Sequence, residues 1–361
     1  MFYREYGKTG KNVSVISFGG MRFENPSDVD GSAEIVYHAY RRGINYFDTA
    51  PDYCDKRSEM IMGEAFKSMK PGTFYVSTKS AKAKGGELRA QLEESLKRLG
   101  VDRIHFFHIW CIITLDKWEE RKRGGAVDAA LRAREEGLVD HVVVSSHLPG
   151  ADLKEVLEEN IFEGVTLGYN VINFPYREEA VNAAGRLNLG VVTMNPLGGG
   201  IIPSQAGRFS FIKSRDDISV VQAALRFNLS NPNITSALVG FSNKGEVDEA
   251  VSAVKNMVPY THERVAEIED HIFDSFNGIC TGCGYCLPCP GGVDIPKMMD
   301  SYNMKILKNN SPDEILKRLN MYWDLPAQNA LQCTQCGECE EKCTQHLPII
   351  ERLDEIGGLS P

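Results

Sequence analysis

Long apolar runs are absent from this chain. None approaches the ~20 residues a helix needs to cross a bilayer. The opening MFYREYGKTG carries charge early and has no apolar core, so a secretory leader is not expected. Positive charge is in deficit: 40 Lys and Arg against 49 Asp and Glu leave −9 over 361 residues, which argues against nucleic acid as the main partner. Cysteine is nearly missing from the first 279 residues, where Cys54 and Cys111 stand alone among the ten. Without a secreted context the even cysteine count does not read as a disulfide framework. What is left is a soluble, cytoplasmic, globular protein with no membrane or nucleic-acid role, long enough for one large barrel plus a small module.

Also missing is the glycine-rich dinucleotide loop of an open doubly wound sheet, since the first apolar run ends in Phe18-Gly19-Gly20-Met21. In its place the chain has eight short β-rich runs, at 13–18, 44–47, 74–77, 104–110, 141–144, 165–169, 191–194 and 234–239. Amphipathic stretches separate them. Leu88, Leu92, Leu96 and Leu99 recur at helical spacing with Gly100 as a stop, and Ser32 is expected to cap a helix that Gly43 ends. Eight such units over ~250 residues predict an α/β fold of the (β/α)8 TIM-barrel type, with its site at the C-terminal strand ends. The expected organisation is a barrel over 1–258, a charged connecting helix over 259–279 and a small α-helical iron–sulfur module over 280–361.

The remaining eight cysteines fall between Cys280 and Cys343. The first run is Cys280-x2-Cys283-x2-Cys286-x2-Cys289-Pro290 and the second Cys333-x2-Cys336-x2-Cys339-x3-Cys343. Three thiolates two residues apart ligate three corners of an iron–sulfur cube, and in two-cluster ferredoxins the fourth cysteine of each run serves the other cluster. The implied sets are Cys280, Cys283 and Cys286 with Cys343, and Cys333, Cys336 and Cys339 with Cys289, holding two [4Fe–4S] clusters. Zinc is the competing reading, but zinc ribbons separate two C-x2-C pairs, whereas each run here packs four cysteines together. Electron relay and structural bracing remain equally open as roles for the clusters.

At the barrel mouth, the second strand runs into Asp48-Thr49-Ala50-Pro51-Asp52-Tyr53, with Ser58-Glu59 following, and the third ends in Ser77-Thr78-Lys79. An Asp, a Tyr and a Lys at one mouth form a proton-transfer set. Lys79 paired with Asp48 places a positive charge where it lowers the pKa of Tyr53, which then serves as acid or base near neutral pH. The bland alternative is a structural ion pair beside a half-buried tyrosine.

Asp48-Thr49-Ala50-x2-Tyr53, Ser58-Glu59 and Thr78-Lys79 resemble the aldo-keto reductases. The resemblance continues in order through Ser145-Ser146-His147, Tyr169-Asn170, Asn195-Pro196-Leu197-Gly198 and Leu238-Val239-Gly240-Phe241-Ser242. With its cysteine tail the chain is similar to those members that carry a C-terminal ferredoxin-type domain. The resemblance implies hydride transfer from NADP (or NAD) to a small-molecule substrate, with Tyr53 protonating the product oxygen and Lys79 and Asp48 tuning it. It assigns Ser145, Ser146, Asn170, Met194, Asn195, Leu197, Gly198, Gly240, Ser242, Lys244 and Glu249 to the nucleotide. The clusters imply a redox partner such as a ferredoxin or a flavoprotein.

Departures from the family pattern are equally specific. Its catalytic histidine, eight positions after the aspartate of Leu99-Gly100-Val101-Asp102, is Trp110 here. His108 lies two residues earlier, on the same side of the strand but one layer deeper, and reaches the mouth only if the strand bulges. Trp110 is expected to line the substrate pocket, and loss of a donor to the substrate oxygen opens activated C=C bonds as targets beside carbonyls. A glutamine that grips the nicotinamide is Thr166, and an arginine and an asparagine after the eighth strand are Glu246 and Ala250. These changes keep a second reading in play, an electron-transfer or scaffold protein whose barrel has lost catalysis.

Overall fold

The chain opens with a hairpin of β1 (Tyr3–Glu5) and β2 (Asn12–Ser14). Eight parallel strands follow: β3 (Ile16–Gly19), β4 (Tyr46–Asp48), β5 (Tyr75–Ser80), β6 (Ile104–Ile112), β7 (Val139–Ser146), β8 (Gly164–Gly168), β9 (Gly190–Met194) and β10 (Ser236–Gly240). They close in sequence order, β10 pairing with β3. This is the α/β TIM barrel. The computed structural model describes all residues except 215–218, 256, 276–277, 281, 283, 308–309, 344 and 360–361, with backbone alone at 176 and 273–275. Cys283 therefore lies outside the described residues.

Each of the eight apolar runs becomes a barrel strand, but the first is divided. Val13 and Ser14 belong to the hairpin, and the barrel strand begins at Ile16. Ser14 breaks the run because its N–H donates to Asn45 Oδ1 (2.7 Å) and its hydroxyl to Ile16 O (2.7 Å). The first helix, Val29–Arg41, is capped by Asp28, whose carboxylate accepts from the Gly31 N–H at 3.0 Å. Ser32 is not the cap: it lies buried within that helix, donating to Asn25 O at 2.9 Å. The leucine-spaced helix Gly85–Leu99 ends as its pattern indicates, at Gly100 in the left-handed conformation (φ 64°).

The hairpin plugs the N-terminal end of the barrel. Tyr6 stacks with Tyr46 and packs on Phe106, and a Cβ on Gly164 or Gly190 would strike its ring, at 2.4 and 2.1 Å. Two glycines at strand starts thus make room for one aromatic plug. The opposite end is left for chemistry.

The described residues group into two compact units, one of Met1–Asn170, Phe174–Leu197 and Ile212–Thr261, the other of Val171–Asn173, Gly198–Phe211 and His262–Pro361. In the second, a helix follows each cysteine run, Ile295–Leu307 and Ile349–Gly357, with Asp313–Arg318 and a π-turn at Leu319–Trp323 between them. Met298, Met299, Leu319, Leu353 and Ile356 share one small core. Among the described residues no helix is long and apolar enough to cross a membrane.

Candidate functional site

Strand register sets which side chains face inward. Asp48 pairs with Ser77, Lys79 with His108, Ser145 with Thr166 and Gly168 with Met194. Alternation along each strand then puts Asp48, Ser77, Lys79, His108, Ser145 and Thr166 on the barrel interior. At the mouth, Lys79 Nζ donates to both carboxylate oxygens of Asp48, at 2.6 and 2.5 Å, with each residue 2% exposed. Burial pulls the Lys79 pKa down, and the bonded Asp48 carboxylate opposes that pull.

Tyr53 lies half-buried above this pair, its ring centroid 5.5 Å from Lys79 Nζ and edge-on to Trp110 at 5.6 Å. The loop that presents it is strained: Cys54, Asp55 and Lys56 all take positive φ, at 52°, 52° and 67°. Left-handed backbone costs a non-glycine residue roughly 1–2 kcal/mol, so the loop needs anchors. Ser58 supplies them, bonding Thr49 Oγ1 (2.6 Å) and donating to Gly20 O (2.6 Å). Glu59 accepts from Thr78 Oγ1 at 2.7 Å and from Arg98 Nε at 2.8 Å. The Ser58-Glu59 part of the motif thus holds the loop. Cys54 is half-buried, its thiol pKa raised by burial, and donates weakly to Gly20 O at 3.5 Å.

His108 does not reach the mouth. It is fully buried, with Nε2 2.9 Å from Ser77 Oγ, which itself donates to Asp48 Oδ1 at 2.7 Å. Since the one hydroxyl proton goes to Asp48, His108 must donate from Nε2. Burial first, and the Lys79 charge second, hold the imidazole well below its usual pKa. A bulge does occur in β6, but after His108: the register shifts between Ile109 and Ile112, with Cys111 at φ 63°. It bears on Trp110 and Cys111, leaving His108 as a support under Asp48.

The second unit gathers the cysteine runs. Cys289, Cys333, Cys336 and Cys339 line one small pocket, together with Cys286. Backbone N–H groups point at sulfur elsewhere in the runs, from Gly282 to Cys280 Sγ, Gln335 to Cys333 Sγ and Leu347 to Cys343 Sγ, each at 3.4 Å. Among the described residues, no three His, Cys, Asp or Glu are arranged to hold a single metal ion.

The aldo/keto reductase family profile matches residues 15–272, more than half the chain. The chain belongs to this family. It is an oxidoreductase, and its C-terminal segment matches a 4Fe–4S dicluster domain over 279–347. Among similar proteins, L-galactose dehydrogenase of Arabidopsis thaliana is 27% identical over 306 residues, 74% of this chain and 92% of that protein. L-glyceraldehyde 3-phosphate reductase of Escherichia coli O157:H7 is 23% identical over 329 residues, covering 76% and 93%. A holo-form aldo-keto reductase structure from Bacillus halodurans superposes with a TM-score of 0.65 at 21% identity, over 75% of this chain and 96% of that one, a likeness of fold.

The positions that the sequence assigns to a nucleotide fall in two groups in this aldo/keto reductase. Ser145, Ser146, Asn170, Met194 and Asn195 lie at the ends of β7, β8 and β9 or just beyond. Asn170 donates to Asn195 O at 2.9 Å, with Asn195 at φ 55°. Ser146 Oγ donates to Ile112 O at 3.0 Å. Leu197 ends one segment of the first unit, and Gly198, at φ 61°, opens a segment of the second.

After β10, Ser242 gives both its N–H and its hydroxyl to the Glu246 carboxylate, each at 2.8 Å. Lys244 is bonded to Glu34 at 2.8 Å, and Glu249 accepts from Ser219 Oγ at 2.6 Å. Two residues outside the assigned set lie beside it. Ser77 was findable as the position two before Lys79 on one strand face. Arg22 lies across Gly240, where an added Cβ would meet its Cγ at 2.6 Å, and no spacing rule pointed to it.

Proposed function

We propose that this aldo/keto reductase binds a nicotinamide nucleotide and reduces a carbonyl or an activated C=C bond of a small molecule, with Tyr53 as proton donor. The observation that carries the reading is the buried, bidentate Lys79–Asp48 pair beneath the Tyr53 ring. Asp48 keeps Lys79 protonated against the cost of burial, and the ammonium favours the phenolate that Tyr53 becomes on giving up its proton. Ser77 and His108 fix the Asp48 carboxylate from below. Trp110 stands where a second donor is expected and narrows the approach to Tyr53.

The nicotinamide supplies hydride when bound. Its fit is supported by an orphan: Thr166 Oγ1 is buried without a hydrogen-bond partner among the described residues and faces inward in register with Ser145. A carboxamide offers the complementary donor and acceptor. Ser145, Ser146, Asn170, Met194, Asn195, Leu197, Gly198, Gly240, Ser242 and Glu249 form the rest of the nucleotide set. A 2′-phosphate is poorly provided for, because Glu246 already fills the donors of Ser242 and Lys244 is paired with Glu34. NADH is therefore the better cofactor reading than NADPH.

In the second unit, Cys280, Cys283, Cys286 and Cys343 would hold one [4Fe–4S] cluster, and Cys289, Cys333, Cys336 and Cys339 the other. The shared pocket of the second set and the N–H···S donors suit cluster ligation. The clusters supply one-electron chemistry, for which a ferredoxin or flavoprotein is the matching partner.

Anaerobic titration of the holoprotein with NADH and NADPH, following nucleotide binding and cluster absorbance together, tests the reading. Binding of at least one nucleotide is expected, and binding of neither overturns it. That second result would favour the electron-transfer or scaffold alternative, for which Trp110 and Glu246 are the specific support.

A further inference from the structure

The two cysteine groups of the second unit lie in unlike electrostatic surroundings. Beside Cys280, the side chain of Arg352 enters from the helix Ile349–Gly357 and is only 6% exposed. Its Nη1 donates to Gly278 O at 2.6 Å, two residues before Cys280, and its guanidinium sits 4.6 Å from the Tyr302 ring centroid. The next residue, Asn303, brackets Cys280 itself, accepting from its N–H and donating to its C=O, both at 2.8 Å. Arg352 and Asn303 thus fasten one turn. The Cys280 and Cys343 thiolates are among the groups whose charge acts on Arg352, so the cation lies within electrostatic reach of both.

The carboxylates that interact with that charge are Glu351 and Glu355. Arg352 Nη1 is bonded to a neutral carbonyl. The nearby Glu355 carboxylate is held by the Tyr302 hydroxyl (2.7 Å) and by Lys305, and Glu351 is exposed to water. Two N–H donors also reach sulfurs of this group, at Cys280 and Cys343.

The other group has the opposite character. Glu338 lines its pocket with Cys289, Cys333, Cys336 and Cys339, together with Cys286 of the first group, and the short helix Glu338–Glu341 flanks Cys339 with Glu338 and Glu340. Lys342, which is partly exposed and also interacts with the Cys336 charge, pairs with Glu338 at 2.9 Å, while the Glu340 carboxylate is met only by the Ile350 backbone N–H (2.8 Å) among the described residues. Backbone N–H groups reach sulfurs here too, Gln335 at Cys333 Sγ (3.4 Å) and Cys339 and Glu340 at the Cys339 sulfur.

The geometry points to Arg352 as a positioning residue that sets the cluster at Cys280, Cys286 and Cys343 to a higher reduction potential than the cluster at Cys289, Cys333, Cys336 and Cys339. The inference rests on the ligand grouping proposed above. One-electron reduction adds a negative charge to a cluster. A buried guanidinium stabilises that charge and nearby carboxylates oppose it, while N–H···S bonds reach sulfurs in both groups and leave the difference to the charged side chains.

The test is an anaerobic reductive titration of the reconstituted full chain with dithionite, read by electron paramagnetic resonance. Iron content and spin count are measured in parallel. Wild type should show two midpoints separated by at least about tenfold in reduction equilibrium constant, about 59 mV for a one-electron couple. Arg352→Gln should lower the upper midpoint by about tenfold and leave the lower one in place, and Arg352→Lys should restore it. Glu340→Gln should raise the lower midpoint.

Coincident midpoints in wild type overturn the inference. So does an Arg352→Gln protein with full iron whose upper midpoint has not moved. If Arg352→Gln does not load iron, wild type and Glu340→Gln decide: a single midpoint, or no shift on Glu340→Gln, overturns it. Failure of the ligand grouping looks different. It appears as zinc, or as well under about eight irons per wild-type chain, before any potential is read.

Discussion

Around the barrel axis Tyr6, Tyr46 and Phe106 pack on one another, and a continuous ring of strands surrounds them. The cysteine module has a core of thirteen described residues, and Cys280, Cys286, Cys289, Cys333 and Cys343 pack around its edge. A region with so small a core needs staples, and thiols ringing the core are placed where a cluster would act as one. The barrel needs none, because its buried charges are satisfied by its own strands and helices, as Lys79 is by Asp48 and Glu59 by Thr78 and Arg98.

The sharpest way to break this comparison is to remove iron. Anaerobic chelation of the holoprotein should expose the segment 262–361 to protease, with cleavage there at least about tenfold faster, while 1–255 stays protected. Equal protection of the module before and after iron loss would show that its core suffices alone.

Next in size is the proposed proton donor, which lies on the barrel side. Tyr53→Phe removes one hydroxyl and should cut turnover by about 10²–10⁴-fold, with nucleotide affinity nearly unchanged. Steady-state rates with a broad aldehyde panel, beside fluorescence titration of the nucleotide, are the measurements. Undiminished turnover would remove Tyr53 from its role and leave the Lys79–Asp48 pair as structure.

The same contrast governs what could be read from sequence. Strands were legible because apolar runs of strand length recur between helical patterns, and the dicluster module because ligand spacing is rigid. The hairpin was not, since Val13 and Ser14 continue the apolar run of β3 and only the bonds of Ser14 to Asn45 and Ile16 divide it. Ser58 and Glu59 stood out as a motif, but their work became visible only with Thr49, Thr78 and Arg98 in place. Arg352 and Arg22 belong to no spacing rule, because their neighbours come from distant parts of the chain.

Acid should reach the barrel through its histidines. Burial first, then the charge of Arg177, pushes His147 down to about 3, and burial brings His105 to about 4. For His147 the unfolded chain binds a proton below pH 6.5 that the folded barrel refuses until about pH 3, so stability falls as pH falls through that window. At about 1.4 kcal/mol per pH unit, His147 alone accounts for up to ~3 kcal/mol by pH 4. Thermal midpoints of wild type and His147→Gln between pH 7 and pH 4.5 check this. The variant should lose less stability over that range, and parallel slopes would mean that other groups set the acid limit.

The smallest effect concerns the loop after β10. Glu246 lies three residues past Asn243, the helix cap, and turns its carboxylate back onto the N–H and hydroxyl of Ser242. That arrangement satisfies donors at the helix start, which is an ordinary capping role, and it also puts negative charge where the family motif leads one to expect a phosphate. The two roles separate by charge. Glu246→Gln keeps a hydrogen-bonding side chain and removes the repulsion, so it should strengthen NADPH binding by up to about tenfold, roughly 1.4 kcal/mol, and leave NADH nearly unchanged. Because Glu246 is exposed, the gain should shrink between low salt and ~0.15 M ionic strength, where the Debye length is about 8 Å. A gain that is equal for both nucleotides, or indifferent to salt, would assign Glu246 to the helix cap alone.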